Sequence, residues 1–237
     1  METVLHFLTA FAGLHFGKYV YISNGLPWKQ AQNFCRIHFT DLSPITSLSE
    51  EDLLKNVTAG IVRGRFWTGL HWNKTHWKWS GGYTGNIPAG IVGVHHSGKQ
   101  SATFNPYLKV WSAENTRTEL PFLCINLVNG EMRKSWEEAL ESCRQNHTSL
   151  TTLTSEAEFV QVKRKIRQDH ITDRVWIGLR FLRNRWMWMS RDPLVYQTHP
   201  EASQDHQCPA TGRCGALNKQ GLLENWDCQD KLNFICS

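Results

Sequence analysis

The sequence has no long apolar run, and it lacks the short motifs that mark the common enzyme classes. No stretch approaches the roughly 18 apolar residues that a membrane-crossing helix needs, so no membrane span is predicted. There is no G-x-S-x-G elbow, Walker loop, H-E-x-x-H motif or G-x-G-x-x-G loop. These absences predict a protein that is not an enzyme, and we expect no nucleic-acid partner. A hydrolase without a recognisable nucleophile–base motif is the alternative class.

The seven cysteines contain no C-x-x-C pair, which argues against a zinc ribbon or a thioredoxin-like site. Their wide spacing fits disulfides formed in an oxidising compartment. The start of the chain fits export, because residues 4–10 are apolar and Ala10-Phe11-Ala12 matches the small-x-small pattern of a cleavage site. We therefore expect a secreted protein in which residues 1–18 are a signal peptide and lead-in. Glu2 departs from the basic start of such a segment, and an N-terminal strand that stays with the domain is the alternative.

Three N-x-S/T sequons predict a glycoprotein if the chain is exported. They lie at Asn56, Asn73 and Asn146.

The chain repeats itself, because five landmarks recur in the same order at an offset that drifts from 108 to 112 residues. They are W-x-x-A-x-x-x-C, L-x-x-[IL], W-[TI]-G-L, W-x-W and a final L-x-F-[LI]-C. The landmarks begin at Trp28, Leu42, Trp67, Trp77 and Leu120 in the first copy, and at Trp136, Leu150, Trp176, Trp186 and Leu232 in the second. The sequence therefore predicts two tandem domains, residues 19–126 and 127–237.

Within each copy the local signals place helices early and strands late. The spacing of the first landmark puts its Trp, Ala and Cys on one helical face. Pro27 and Ser135 stand at the expected starts of these helices, and acidic residues after Ser49 and Ser155 suggest a second helix. The later segments, rich in Trp and Gly, indicate short strands and long loops with tryptophans in the core. This order predicts an α+β fold.

The succession of landmarks resembles the C-type lectin-like domain, over nearly the whole chain. The resemblance implies that each copy has a small antiparallel sheet, two helices and a long loop region that binds the ligand. It also implies three disulfides, Cys35–Cys124, Cys143–Cys236 and Cys214–Cys228. Cys208 is then unpaired, as a free thiol, an intermolecular link or a competitor for Cys214.

Sugar-binding members of this family hold Ca²⁺ with carboxylate and amide oxygens, including a Trp-Asn-Asp segment before the third cysteine. The first copy has no acidic residue between Asp52 and Glu114, and Trp111-Ser112-Ala113 stands in place of that segment. The second copy keeps a remnant of the oxygen donors, namely Glu201, Glu224 and Asn225. We predict no metal and no cofactor, with a degenerate calcium site in the second copy as the alternative.

The acid-free stretch of the first copy is basic, since residues 53–113 contain seven lysines and arginines. Lys74, Lys78 and Lys99 are candidate contacts for an anionic ligand, and a merely solvated surface is the alternative. The sequence predicts a secreted recognition protein that binds a glycan or protein ligand without calcium. The alternative is a calcium-dependent carbohydrate-binding lectin that uses Glu201, Glu224 and Asn225.

Overall fold

A computed structural model of the chain describes residues 13–91, 98–145, 148–167, 170–182, 185–190, 194 and 213–237. The first repeat contains β1 Leu14–Phe16, β2 Tyr19–Leu26, α1 Trp28–His38, β3 Asp41–Leu42, α2 Leu48–Val57, β4 Phe66–Trp72, β5 Trp77–Trp79, a 3-10 turn Ala89–Ile91, β6 Lys99–Asn105, β7 Val110–Asn115 and β8 Leu120–Ile125. The second repeat contains β9 Val128–Lys134, α3 Trp136–Gln145, α4 Glu156–Ile166, β10 Arg174–Leu182, β11 Arg185–Trp188, β12 Arg213–Asn218, β13 Leu223–Asp227 and β14 Leu232–Cys236. No helix in these ranges has the length and apolar character to cross a membrane.

Each repeat has one twisted sheet flanked by its two helices, so the predicted α+β fold is confirmed. The first sheet has the order β1-β2-β8-β4-β6-β7, with β3 beside β8 and β5 beside β4. The second has the order β13-β12-β10-β14-β9, with β11 beside β10. Antiparallel pairs dominate, and each sheet also contains one parallel pair, β4–β8 and β10–β14. β1 lies in the segment predicted as leader and lead-in and pairs with β2, while residues 1–12 lie outside the described residues.

Two tryptophans of each repeat are fixed in the core by matching hydrogen bonds. The indole N–H of Trp28 donates to the Thr68 carbonyl and that of Trp67 to the Leu26 carbonyl, both at 2.9 Å. In the second repeat the same two bonds form at 2.9 Å, from Trp136 to Ile177 and from Trp176 to Lys134. A buried indole N–H left unpaired is costly, so these bonds fix how the first helix sits on the central strand.

The six tryptophans predicted as core residues lie in or against the core. Trp186 is half-buried against the core of the second repeat. The other five are buried, namely Trp67, Trp77, Trp79, Trp176 and Trp188.

The glycine of each W-x-G-L segment is required by a close backbone contact. A Cβ atom at Gly69 would lie 2.8 Å from the Leu42 carbonyl oxygen, and one at Gly178 would lie 2.6 Å from that of Leu150. The amides of both glycines donate to the adjoining loop, since Gly69 bonds to Ser43 and Gly178 to Thr151. Any larger residue would push the central strand away from the loop that follows the first helix.

The three disulfides implied by the family resemblance are present. Cys35–Cys124 and Cys143–Cys236 join the first helix of each repeat to its last strand, with Cα atoms 5.4 and 5.6 Å apart. Cys214–Cys228 links β12 to the end of β13. Cys208 lies outside the described residues, so its state stays a prediction.

The second helix of the first repeat begins earlier than its acidic residues indicate. The helix entry predicted at Ser49-Glu50-Glu51-Asp52 lies at the beginning of α2, and Ser47 is the N-cap. Its hydroxyl accepts the amide of Glu50 at 3.2 Å, and the Glu50 carboxylate accepts the amide of Ser47 at 3.1 Å. Ser155 caps the corresponding helix α4 as predicted.

A buried group of charges joins the two repeats. Glu50 and Glu158 are the third residues of α2 and α4, and their side chains are 5% and 3% exposed. The Lys18 ammonium donates a hydrogen bond to Glu158 and lies 3.9 Å from the Glu50 carboxylate. Because a buried charge without a partner is costly, this lysine compensates carboxylates from both repeats.

The pKa values of the two glutamates are shifted in opposite directions. Burial raises the pKa of Glu50, and the charge of Glu158 raises it further against the opposing effect of Lys18. Burial alone would also raise the pKa of Glu158, but Lys18 and the hydrogen bonds from Thr154 outweigh it and lower that pKa. Glu158 is therefore the ionised partner of Lys18.

A second polar contact between the repeats surrounds Asp41, whose side chain is fully buried in the first repeat. Its carboxylate accepts hydrogen bonds from Arg36 of α1 at 3.1 Å and from Arg164 of α4 at 3.3 Å. The Thr40 hydroxyl also accepts the Leu127 amide at 2.8 Å. The two repeats thus share polar groups as well as a chain connection.

Replacing Lys18 by Met is expected to lower the free energy of unfolding by about 3 kcal/mol, because it leaves two buried carboxylates without a counter-charge. Urea unfolding followed by tryptophan fluorescence measures the effect. The double variant Lys18→Met/Glu158→Gln should regain much of the loss, since it removes the ionised carboxylate. Wild-type stability for the single variant would contradict this assignment.

Candidate functional site

In the second repeat, Leu223-Glu224-Asn225 on β13 stands where sugar-binding members of the family have the Trp-Asn-Asp calcium ligands. We call this segment the calcium register, and the carboxylate of its Glu224 already accepts three hydrogen bonds. Its carboxylate accepts hydrogen bonds from the Arg174 guanidinium, the Asn218 amide at 2.6 Å and the Trp226 indole at 2.9 Å. The Arg174 guanidinium also lies 4.4 Å from the centre of the Trp226 ring. A cation of the protein itself therefore lies against the carboxylate that a metal ion would need.

The same contacts shift the acidity of this group. Partial burial on its own would raise the pKa of Glu224, but the hydrogen bonds from Trp226, Asn218 and Arg174 outweigh it and lower the pKa. Glu224 is therefore ionised at neutral pH and paired with Arg174. Asn225, the next residue of the register, is half-buried on β13, while Glu201 lies outside the described residues.

The first repeat has no comparable acidic group at this position. Arg65, which matches Arg174 in the repeat, forms a surface ion pair with Glu114 of β7 at 2.6 Å. Ser112 and Ala113 occupy β7 where the family's metal ligands would stand. Within the described ranges, no three His, Cys, Asp or Glu side chains converge in a way that could hold a metal ion.

The three lysines predicted to contact an anionic ligand do not form one cluster. Lys74 is exposed in the turn between β4 and β5, where its φ is 86°. Lys99 is exposed at the start of β6. Lys78 lies on β5 and is the one of the three that lines a cleft.

This cleft, which we call the α1–β5 cleft, has a volume of about 460 Å³ and lies between the first helix and the β4–β5 hairpin. Lys29 and Arg36 of α1 approach it from one side, and Lys78 of β5 approaches it from the other. The remaining lining residues are Trp28, Gln32, His71, Asn73, Ser80, Gly81 and Gly82. The volume is in the range that accommodates a small organic ligand.

Sequence reasoning missed Arg174 as the partner of Glu224, and it missed the helix residues of the α1–β5 cleft. Arg65 and Arg174 both stand two residues before the tryptophan of W-x-G-L, but they pair with acids at non-equivalent positions, so the repeat does not indicate the Glu224 contact. Lys29 and Lys78 are far apart in sequence and line the same cleft only because α1 packs against β4, the strand before β5. No spacing in the sequence indicates that contact.

The sequons are placed differently from one another. Asn56 is exposed in the last turn of α2, and Asn73 is half-buried at the rim of the α1–β5 cleft. Asn146 lies outside the described residues. Glycosylation at all three stays a prediction.

Replacing Glu224 by Gln is expected to cost about 1 kcal/mol at pH 7, since it removes the charge from three hydrogen bonds. Because folding lowers the pKa of Glu224, its contribution is complete above the ordinary pKa of a glutamate and disappears as the pH falls through the lowered value. Unfolding experiments at pH 7 and pH 3 should therefore show a stability difference that shrinks in acid. Glu141→Gln, on the exposed face of α3, is the matched control, and a pH-independent difference for Glu224→Gln would contradict the prediction.

Comparisons with known proteins agree with this architecture. The family model described as "Lectin C-type domain" matches residues 24–126 and again 132–237. The human C-type mannose receptor 2 is 21% identical over 92% of this chain, and the mouse secretory phospholipase A2 receptor is 23% identical over 90%. The chain spans only 18% and 17% of the lengths of these relatives.

Among solved structures, the C-type carbohydrate-recognition domain of cow CD23 is 23% identical, with a TM-score of 0.41. The match covers 46% of this chain and 84% of that domain. The family is one of non-enzymatic recognition proteins and receptors, in agreement with the prediction that the chain is not an enzyme. With two consecutive matches that cover most of its length, the chain belongs to the C-type lectin domain family.

Proposed function

We propose that the chain is an extracellular recognition protein that binds a glycan or protein ligand without calcium. The observation that best supports this is the Glu224 network. A calcium ion needs six to eight oxygen ligands, largely from carboxylates. Glu224 is the acidic residue of the Leu223-Glu224-Asn225 segment on β13, and its oxygens already accept bonds from Arg174, Asn218 and Trp226.

Electrostatics in this network also opposes a bound dication. A Ca²⁺ ion bound to Glu224 would have to displace the Arg174 guanidinium or lie beside it. Two positive groups in contact with one carboxylate repel each other strongly. Moving Arg174 away would also leave the Trp226 ring without its cationic neighbour. The protein's own arginine thus supplies the positive charge that a metal supplies in sugar-binding relatives.

The first repeat supports the same proposal through its lack of acidic groups. No Asp or Glu occurs between Asp52 and Glu114, and Glu114 is paired with Arg65. A dication there would have no compensating negative charge.

An extracellular location is supported by the disulfides. Three disulfides close the two repeats, and structural disulfides of this kind persist in oxidising compartments. The relatives named above are receptors according to their names. The predicted signal peptide and sequons fit the same location.

Isothermal calorimetry with Ca²⁺ at up to about 10 mM, above the millimolar Kd of the weakest extracellular sites, should show no binding heat. The melting temperature should also be the same in calcium and in chelator. A calcium-dependent lectin of the family serves as the positive control in the same buffers. A saturable heat or a calcium-dependent rise in melting temperature would favour the alternative, a calcium-dependent lectin that uses Glu201, Glu224 and Asn225.

Binding itself is tested on an array of glycans and extracellular proteins, once with calcium and once with chelator. We expect at least one ligand to bind equally in both conditions. Loss of all binding under chelation would contradict the proposal, and so would an absence of binding in either condition.

A further inference from the structure

The α1–β5 cleft is lined by three cations and, among the described residues, by no carboxylate. They are Lys29, Arg36 and Lys78. Arg36 is compensated by the buried Asp41, to which it donates from Nε and Nη2 at 3.1 and 3.2 Å. Neither Lys29 nor Lys78 forms an ion pair with an acidic group in the part of the chain that the structure describes. The cleft therefore has positive charge available for a ligand.

The wall of the cleft is fixed by internal hydrogen bonds. Lys29 donates to the Gln32 side chain at 2.7 Å, and Gln32 donates to the Ser80 hydroxyl at 2.6 Å. Ser80 also accepts a bond from Arg36 at 3.3 Å. Because Gln32 is 4% exposed and bonded at both ends of its amide, it holds the helix and the hairpin at a fixed separation.

The cations of this cleft also affect the pKa of His71, which lies among them. Its ring lies 4.6 Å from that of Trp28. Burial lowers the pKa of His71, the charges of Lys78, Lys29 and Arg36 lower it further, and a hydrogen bond with Gly69 opposes them. The imidazole is therefore neutral at pH 7 and adds a hydrogen-bonding group beside the cations.

At the corresponding position of the second repeat, an arginine and a glutamate form an ion pair. His71 lies opposite Lys78 across β4 and β5, and Arg180 lies opposite Met187 across β10 and β11. Arg180 lies 4.8 Å from the centre of the Trp136 ring and is paired with Glu137 at 2.7 Å. Glu137 stands one residue after the helix-start tryptophan, as Lys29 does in the first repeat. The arginine of the second repeat is thus neutralised by a glutamate of the same repeat, whereas Lys29 and Lys78 of the first repeat have no acidic partner among the described residues.

The available groups favour a tetrahedral oxyanion over a carboxylate. A carboxylate is best recognised by the planar fork of an arginine, and the Arg36 fork is already used on Asp41. Lysine ammonium groups are point charges with rotatable donors, and they suit the oxygens of a sulfate or phosphate ester. His71 at the rim has an imidazole group that can bond a sugar hydroxyl.

We propose that the α1–β5 cleft binds a saccharide that carries a tetrahedral oxyanion ester, sulfate or phosphate, with Lys29 and Lys78 as its two charged contacts. This rests on the proposed function and assigns it a site in the first repeat. The site is separate from the calcium register on β13, so its occupancy needs no metal.

Calorimetry or NMR titration at low salt tests the proposal with lactose 3′-sulfate, lactose 3′-phosphate, 3′-sialyllactose and lactose. The protein is refolded from bacterial expression, so that Asn73 at the rim carries no glycan. We expect binding of one or both tetrahedral esters, weaker binding of the sialylated sugar and none of lactose. The comparison of sulfate with phosphate identifies the ester, and tightest binding of 3′-sialyllactose would overturn the proposal.

The double variant Lys29→Gln/Lys78→Gln should weaken ester binding about tenfold, because it removes two partly exposed charge contacts. Lys55→Gln/Arg63→Gln is the matched control, since it removes the same charge from exposed positions of the same repeat outside the cleft. Equal losses in both variants would mean a non-specific charge effect and would overturn the site.

A second variant transplants the side chains of the second repeat, Lys29→Glu/His71→Arg/Lys78→Met. It should fold, because that combination already exists around Trp136, and it should abolish ester binding. Unchanged binding would place the ligand elsewhere. If other array ligands still bind while all four lactose probes fail, the cleft assignment is wrong and the proposed function stands.

Discussion

The close contact between the central strand and the loop after the first helix is the constraint on which each repeat depends. Gly69 and Gly178 allow that approach, because a side chain at either position would collide with a backbone carbonyl. The two tryptophan indoles that flank the contact then donate to carbonyls on the strand and at the helix start. The disulfide from α1 to β8, or from α3 to β14, closes the same unit. Outside this unit the second helices keep matching serine caps, while several surface charges differ between the repeats.

The differences between the repeats are mainly differences of charge. Around the calcium register, the second repeat pairs Glu224 with Arg174, while the first has no acid in its loop stretch. Around the first helix, the second repeat pairs Arg180 with Glu137, while the first leaves two lysines at an open cleft. One fold therefore presents an internally neutralised surface in one copy and a cationic one in the other. Lys18 of the first repeat pairs with the buried Glu158 of the second, and Arg164 of the second pairs with the buried Asp41 of the first. These ion pairs connect the two repeats.

The duplication and the α+β class could be predicted because they depend on strongly patterned residues, while the three disulfide pairs were implied by the resemblance to a known family. Tryptophan, glycine and cysteine at fixed spacing leave a signal that two copies in one chain make visible. The N-cap of α2 was not predicted, because several serines and glutamates compete there, and only the geometry shows that Ser47 is the cap. Lys74, Lys78 and Lys99 were predicted as ligand contacts from their charge alone, and of these only Lys78 lines the α1–β5 cleft. The sequence shows where the charges occur but not which of them face the same surface. Contacts between distant segments, such as Glu224 with Arg174 or Lys29 beside Lys78, depend on tertiary packing that no local pattern encodes.

The central claim is that recognition resides in the cationic cleft of the first repeat and not in a metal site of the second. A crystal structure of the protein with millimolar Ca²⁺ and the lactose ester, 3′-sulfate or 3′-phosphate, that binds more tightly in solution tests it most directly. We expect density for the ester group between Lys29 and Lys78, with Glu224 still bonded to Arg174. A calcium ion at Glu224 and Asn225 with a sugar bound to it would contradict the account.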